Sequence, residues 1–133
     1  MKTTRILAVA VMLVASGLAL GVARSQQTGI KRTELQRHDL SIPGREAIQI
    51  RADFPLGAAV PRHTHPGEEL VYVLEGTLEF QLEGHAPVTL KPGEVLFVPA
   101  GTVHTAKNVS SGNSVALSTY IVEKGKPLLT LAQ

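Results

Sequence analysis

From Ala47 to Phe54 apolar and polar residues alternate, in the order Ala-Ile-Gln-Ile-Arg-Ala-Asp-Phe. A period of two predicts a β-strand with one buried face. Thr77 to Leu82 repeats the pattern, with Leu78, Phe80 and Leu82 set against Glu79 and Gln81, and Val115 to Val122 is a further run rich in β-branched residues. Turn signals punctuate these runs at Ile42-Pro43-Gly44, Glu75-Gly76, Glu83-Gly84-His85 and Lys91-Pro92-Gly93. Short strands at such regular spacing predict an all-β sandwich or barrel. Residues 26–32 are polar and read as a flexible lead-in, 33–126 as the barrel, and 127–133 as a C-terminal tail.

Leu70-Val71-Tyr72-Val73-Leu74 and Val95-Leu96-Phe97-Val98 break the alternation, being apolar on both faces. Such strands need cover on both sides. A small chain buries less of its own surface than a large one. A second copy over the outer face is therefore expected, giving a homodimer.

The N-terminal region has a different pattern. Lys2 and Arg5 precede an uncharged apolar run from Ile6 to Leu20, and small residues follow at Gly21, Ala23 and Ser25. That order reads as a secretory signal peptide over residues 1–25, cleaved after Ala23 or Ser25. The run is shorter than the ~20 residues of a membrane span, so no stable membrane insertion is expected after cleavage. An exported, periplasmic or secreted protein follows.

Export changes the charge balance. Removing Lys2 and Arg5 from the 13 basic residues leaves 11 against 11 acidic ones, and loss of Arg24 leaves 10. A near-neutral surface offers no electrostatic reason to expect nucleic acid as a partner. The chain contains no Cys, which excludes disulfides, thiolate metal sites and a Cys nucleophile. Ser and Thr are scattered without a nucleophile motif.

The residues with chemical capacity cluster in the middle. His63-Thr64-His65 places two imidazoles on one face of a strand. Alone the pair is a weak metal signal. Pro66-Gly67 then turns the chain and brings Glu69 back beside it, with Glu68 a neighbouring competitor for the same role. His104 follows the rigid turn Pro99-Ala100-Gly101 and can supply a third imidazole. His38 and His85 lie in polar or loop segments and are expected in solvent, and Arg62 and Tyr72 have the parity of the outer face.

Gly57, His63, His65, Glu69 and Gly76 stand at the spacing of the first cupin motif. Gly93, Pro99, Gly101, His104 and Asn108 stand at that of the second. The chain thus resembles the cupin superfamily, in its small single-domain, cupin-2 type. The resemblance implies a double-stranded β-helix, or jelly-roll barrel. It further implies one divalent transition metal on His63, His65, Glu69 and His104. The motif glycines and Pro99 fall at turns, whereas Asn108 has no role legible from sequence.

Nitrogen and oxygen donors suit Fe, Mn, Ni, Cu or Zn without choosing among them. Val71 and Val73 share the face of Glu69 and are expected either to line the cavity or to fill the core. Cupins are functionally broad, and fold does not fix function. The leading expectation is a metal-dependent, oxygenase-type enzyme acting on a small organic molecule, with Glu69 as ligand and tentative base. The alternative is a non-enzymatic extracytoplasmic module that binds a small ligand or metal.

Overall fold

The computed structural model describes residues 29–133. The signal segment of residues 1–25 lies outside them. The described chain is all strand and turn. In order the strands are β1 Lys31–Asp39, β2 Arg45–Phe54, β3 Ala59–Thr64, β4 Gly67–Glu75, β5 Leu78–Leu82, β6 Val88–Leu90, β7 Val95–Val98, β8 His104–Asn108, β9 Ser114–Glu123 and β10 Thr130–Leu131. They form two five-stranded antiparallel sheets, ordered β1-β2-β9-β4-β7 and β10-β3-β8-β5-β6. This is the jelly-roll barrel that the cupin resemblance implies, and it accords with the sandwich or barrel that the pattern predicts.

The alternation explains the packing. Along β2 every second residue from Glu46 to Phe54 is buried, and the inward side chains of the two sheets interleave as the core. One cluster is built on Phe54, Val71, Val73, Leu78 and Phe80, and a second on Ile48, Ile50, Tyr120 and Val122. Val71 and Val73 are 2% and 0% exposed and belong to the first cluster. They fill the core rather than line a ligand cavity.

The domain bounds expected at both ends are too tight. β1 starts at Lys31, inside the stretch read as a flexible lead-in, and pairs with β2 from Lys31↔Asp53 onward. All nine of its residues are exposed, so ladder hydrogen bonding holds the strand and no burial pattern announces it. The tail of residues 127–133 is likewise tied in, because β10 pairs with β3 through Thr130↔Thr64 and Leu131↔His63.

The four glycines of the two motifs all adopt positive φ. Gly76 is the most constrained, with φ +69°, and a Cβ there would lie 2.2 Å from Ser114 Oγ. Only glycine fits this turn. Asn108 acquires a role here. Its amide donates to the carbonyls of Phe54, Pro55 and Gly112 at 2.8, 3.0 and 2.8 Å, and its Oδ1 accepts from Ser110 and Ser114. Buried and fully partnered, it clamps the β8–β9 turn to the end of β2.

On the outer face of β4 and β7, Leu70, Tyr72, Leu74, Val95 and Phe97 remain between 43% and 66% exposed. Arg62 also points outward and pairs with Glu83 at 2.6 Å.

Candidate metal centre

Three strands, β3, β4 and β8, bring the site together. His63 on β3 faces His104 on β8 as direct partners across one sheet. Pro61 has no N–H to give the ladder, and the register shifts between Val60 and His63. That irregularity lets both Val60 and His63 turn inward although they are three residues apart. His65 follows just beyond the end of β3. Glu69 comes from β4 in the opposite sheet, paired in register with Tyr120 of β9.

All four predicted side chains are buried, His63 and His65 at 4% and 5% exposed, Glu69 at 5% and His104 at 2%. The three imidazoles bring their free nitrogens within 4.8 Å of one another. Glu69 Oε2 stands 3.2 Å from His104 Nε2 and 3.4 Å from His65 Nε2. Glu68, by contrast, is only half-buried. His38 is exposed on β1, and His85 is exposed in the turn after β5.

The tautomers follow from the second nitrogen of each ring. His63 Nδ1 lies 2.8 Å from Pro61 O, His65 Nδ1 2.5 Å from Leu128 O, and His104 Nδ1 2.9 Å from Thr102 O. A carbonyl oxygen only accepts, so each Nδ1 carries the proton and donates it. In a neutral imidazole the lone pair is then on Nε2. Three lone pairs thus converge beside a carboxylate, and His65 Nε2 is buried with no hydrogen-bond partner. Nitrogen lone pairs facing carboxylate oxygen at this range need a proton or a cation between them. The donor set, the fixed tautomers and the orphaned nitrogen all fit a bound metal ion.

Electrostatics agree. Burial, with the neighbouring His104 acting in the same direction, lowers His63 to about 4 and keeps it neutral at physiological pH. Burial alone would raise the Glu69 carboxyl, but its contacts with His104 and then His65 outweigh that and hold it below the usual carboxylate range. Burial pushes the Tyr120 phenol far above its ordinary value, and the Glu69 charge pushes the same way. The hydroxyls of Ser118 and Tyr120 stand beside the Glu69 carboxylate.

The cavity over these residues measures about 30 Å³ and is walled mainly by Phe54, Val60, Phe80 and small alanines. Sequence reasoning missed three further residues that line it, Arg32 on β1 and Ser118 and Tyr120 on β9. Alternation along β9 carried a signal for the last two, since Ser118, Tyr120 and Val122 share the buried face.

Residues 50–127 match the family model described as a cupin domain. The chain belongs to the cupin family. Among curated cupin relatives, it is 43% identical over 54 residues to dimethylsulfoniopropionate lyase DddQ of Ruegeria pomeroyi, covering 41% of this chain and 27% of the lyase. It is 39% identical over 87 residues to a germin-like protein, subfamily 2 member 2, of Arabidopsis thaliana, covering 59% of this chain and 40% of that one. The cupin chain spans about half or less of the length of such relatives. A solved oxalate oxidase in complex with the substrate analogue glycolate superposes with a TM-score of 0.65 at 23% identity, over 81% of this chain and 57% of that one, a likeness of fold.

Proposed function

We propose that this cupin is a metal-dependent enzyme acting on a small organic molecule, with one divalent transition metal held by His63, His65, His104 and Glu69. The observation that carries the reading is the convergence of three Nε2 lone pairs, each fixed by an Nδ1–H bond to a main-chain carbonyl, next to the Glu69 carboxylate. Similarity to a lyase of dimethylsulfoniopropionate and to an oxidase seen with glycolate supports a small substrate. Fe, Mn, Ni, Cu and Zn all suit the donor set.

A divalent ion bound there would supply Lewis-acid polarisation and open coordination positions, and a redox-active one such as Fe, Mn, Ni or Cu would also supply the electron transfer that oxygenase-type chemistry requires. The chain's own residues do the rest. The small cavity limits the occupant to a few non-hydrogen atoms. Glu69 is the base nearest the imidazoles, and Ser118 and Tyr120 beside it orient its carboxylate.

Elemental analysis of natively purified protein tests the reading, with His104→Ala in parallel. About one metal per chain in the wild type and loss in the variant are expected. Full metal retained in His104→Ala overturns the ligand set. Oxygen uptake or product formation with small hydroxy, phenolic or dicarbonyl compounds tests catalysis. Tight ligand binding without turnover would mark the protein instead as an extracytoplasmic binding module.

Two further parts of the proposal concern context. The n-region and apolar run of residues 1–25 would direct export to the periplasm or medium, and a mature N-terminus at Arg24 or Gln26 by mass spectrometry is the expected result. The uncharged outer face of Leu70, Tyr72, Leu74, Val95 and Phe97 would be covered by a second copy, since identical apolar patches meet without charge repulsion. Light scattering should give a dimer that Phe97→Lys dissociates.

A further inference from the structure

The cavity is polar at one end and cationic at the other. Its inner end holds the three imidazoles and the Glu69 side chain. At its rim the lining residue with a fixed positive charge is Arg32 of β1. The register explains how Arg32 gets there. It pairs directly with Ala52 on β2, whose side chain is buried on the inward face. Directly opposed residues of an antiparallel pair share a face, so Arg32 is aimed at the barrel mouth.

Glu34, Arg37 and Asp39 on the same strand are already paired. Glu34 binds Arg37 at 2.9 and 3.1 Å, and Arg37 reaches on to Glu46 at 2.7 Å. Arg51, on the opposite face of β2, pairs with Asp53 at 3.0 Å. Among the described residues Arg32 makes no salt bridge and no side-chain hydrogen bond. An unpaired guanidinium over an apolar cavity is a fork for a planar anion.

We propose that the small molecule taken by this cavity is a short-chain monocarboxylate, its carboxylate gripped by Arg32 at the rim and its carbon chain pointing inward toward Glu69 and the imidazoles. Size and charge agree on this class. Pockets for drug-sized ligands run to roughly 300–1,000 Å³, an order of magnitude more than the space here. At the rim a carboxylate meets the guanidinium of Arg32. The alkyl part meets Phe54, Val60 and Phe80. The assignment rests on the small-molecule reading of the same cavity, but the grip of Arg32 is independent of the ion.

Chemical-shift titration by NMR tests this, using propionate and its uncharged isostere propionamide on metal-free and zinc-loaded protein. Wild type in the metal-free form should bind propionate about tenfold more tightly than propionamide, the gain of a charge-assisted bidentate contact. Arg32→Gln should bring the two within about twofold, and Arg51→Gln should leave the preference intact. Arg32 is exposed, so its variant keeps the fold, and matching amide spectra check that. Equal affinity for acid and amide in wild type, absence of carboxylate binding in both forms, or a preference that survives Arg32→Gln overturns the assignment. Zinc content measured on the same samples separates the two failures. A protein that takes up no zinc yet shows the Arg32-dependent preference sinks the metal reading alone, and the reverse outcome sinks the carboxylate alone.

Discussion

Replacing Glu69 by glutamine keeps the shape of the side chain and removes its charge. Its Oε2 lies 3.2 and 3.4 Å from two imidazole nitrogens, so an ion shared by those nitrogens would fall within about 4 Å of the carboxylate. Unit charges at that distance attract by about 4 kcal/mol at an effective dielectric of ~20, and a divalent ion by more. The amide oxygen recovers part of this, and relief of carboxylate desolvation recovers another part. A net loss of about 3–4 kcal/mol remains, or 10²- to 10³-fold in metal affinity at ~1.4 kcal/mol per decade. Competition with a chromogenic chelator at fixed zinc measures that ratio directly. The metal-free variant should be less stable in urea than wild type, because the contacts that hold the Glu69 carboxyl low contribute stability that the amide loses. Zinc affinity within threefold of wild type would refute the placement of the carboxylate at the ion.

Three other perturbations probe the frame around the site. Asn108→Ala leaves the carbonyls of Phe54, Pro55 and Gly112 without their donor, and at ~1–3 kcal/mol per orphaned buried group the loss should be about 3 kcal/mol or more; a loss below about 1 kcal/mol by urea unfolding would count against the clamp. Gly76→Ala forces a side chain into a positive-φ turn against Ser114 and the Asn113 carbonyl, and a loss of about 3 kcal/mol is expected, with a neutral result excluding the geometry. The metal-free protein should weaken in mild acid. His63 is lowered from 6.5 to about 4 in the fold, so the unfolded chain binds the proton first and stability falls as pH drops through that window. The loss at pH 5 relative to pH 7.5 should be about 1–2 kcal/mol, and a urea midpoint that stays level or rises at pH 5 would contradict a buried neutral ring.

Much of the site was legible because its logic is local. The alternation of β2 and β5 marks their inward faces, and the spacing of Glu69 from Gly76 selects it over Glu68, which the structure leaves half-buried. Arg32 and the Leu128 carbonyl were not legible, for a common reason. Each reaches the site through pairing or proximity across the fold, Arg32 through Ala52 and Leu128 through His65. Such registers are fixed by the whole barrel. β1 was hidden for another reason, since a strand whose nine residues are all exposed has no apolar face to show. Asn108 looked idle because its six hydrogen bonds go to five residues, at the end of β2 and in the turn that leads into β9.

All three rings are steered by peptide oxygens, those of Pro61, Thr102 and Leu128. Point mutation cannot delete a peptide oxygen, so the aim of the imidazoles is shielded from substitution at the supporting positions. Substitutions at neighbouring side chains therefore leave the direction of the three rings unchanged. A shift in the main chain itself is what would turn them away from one another.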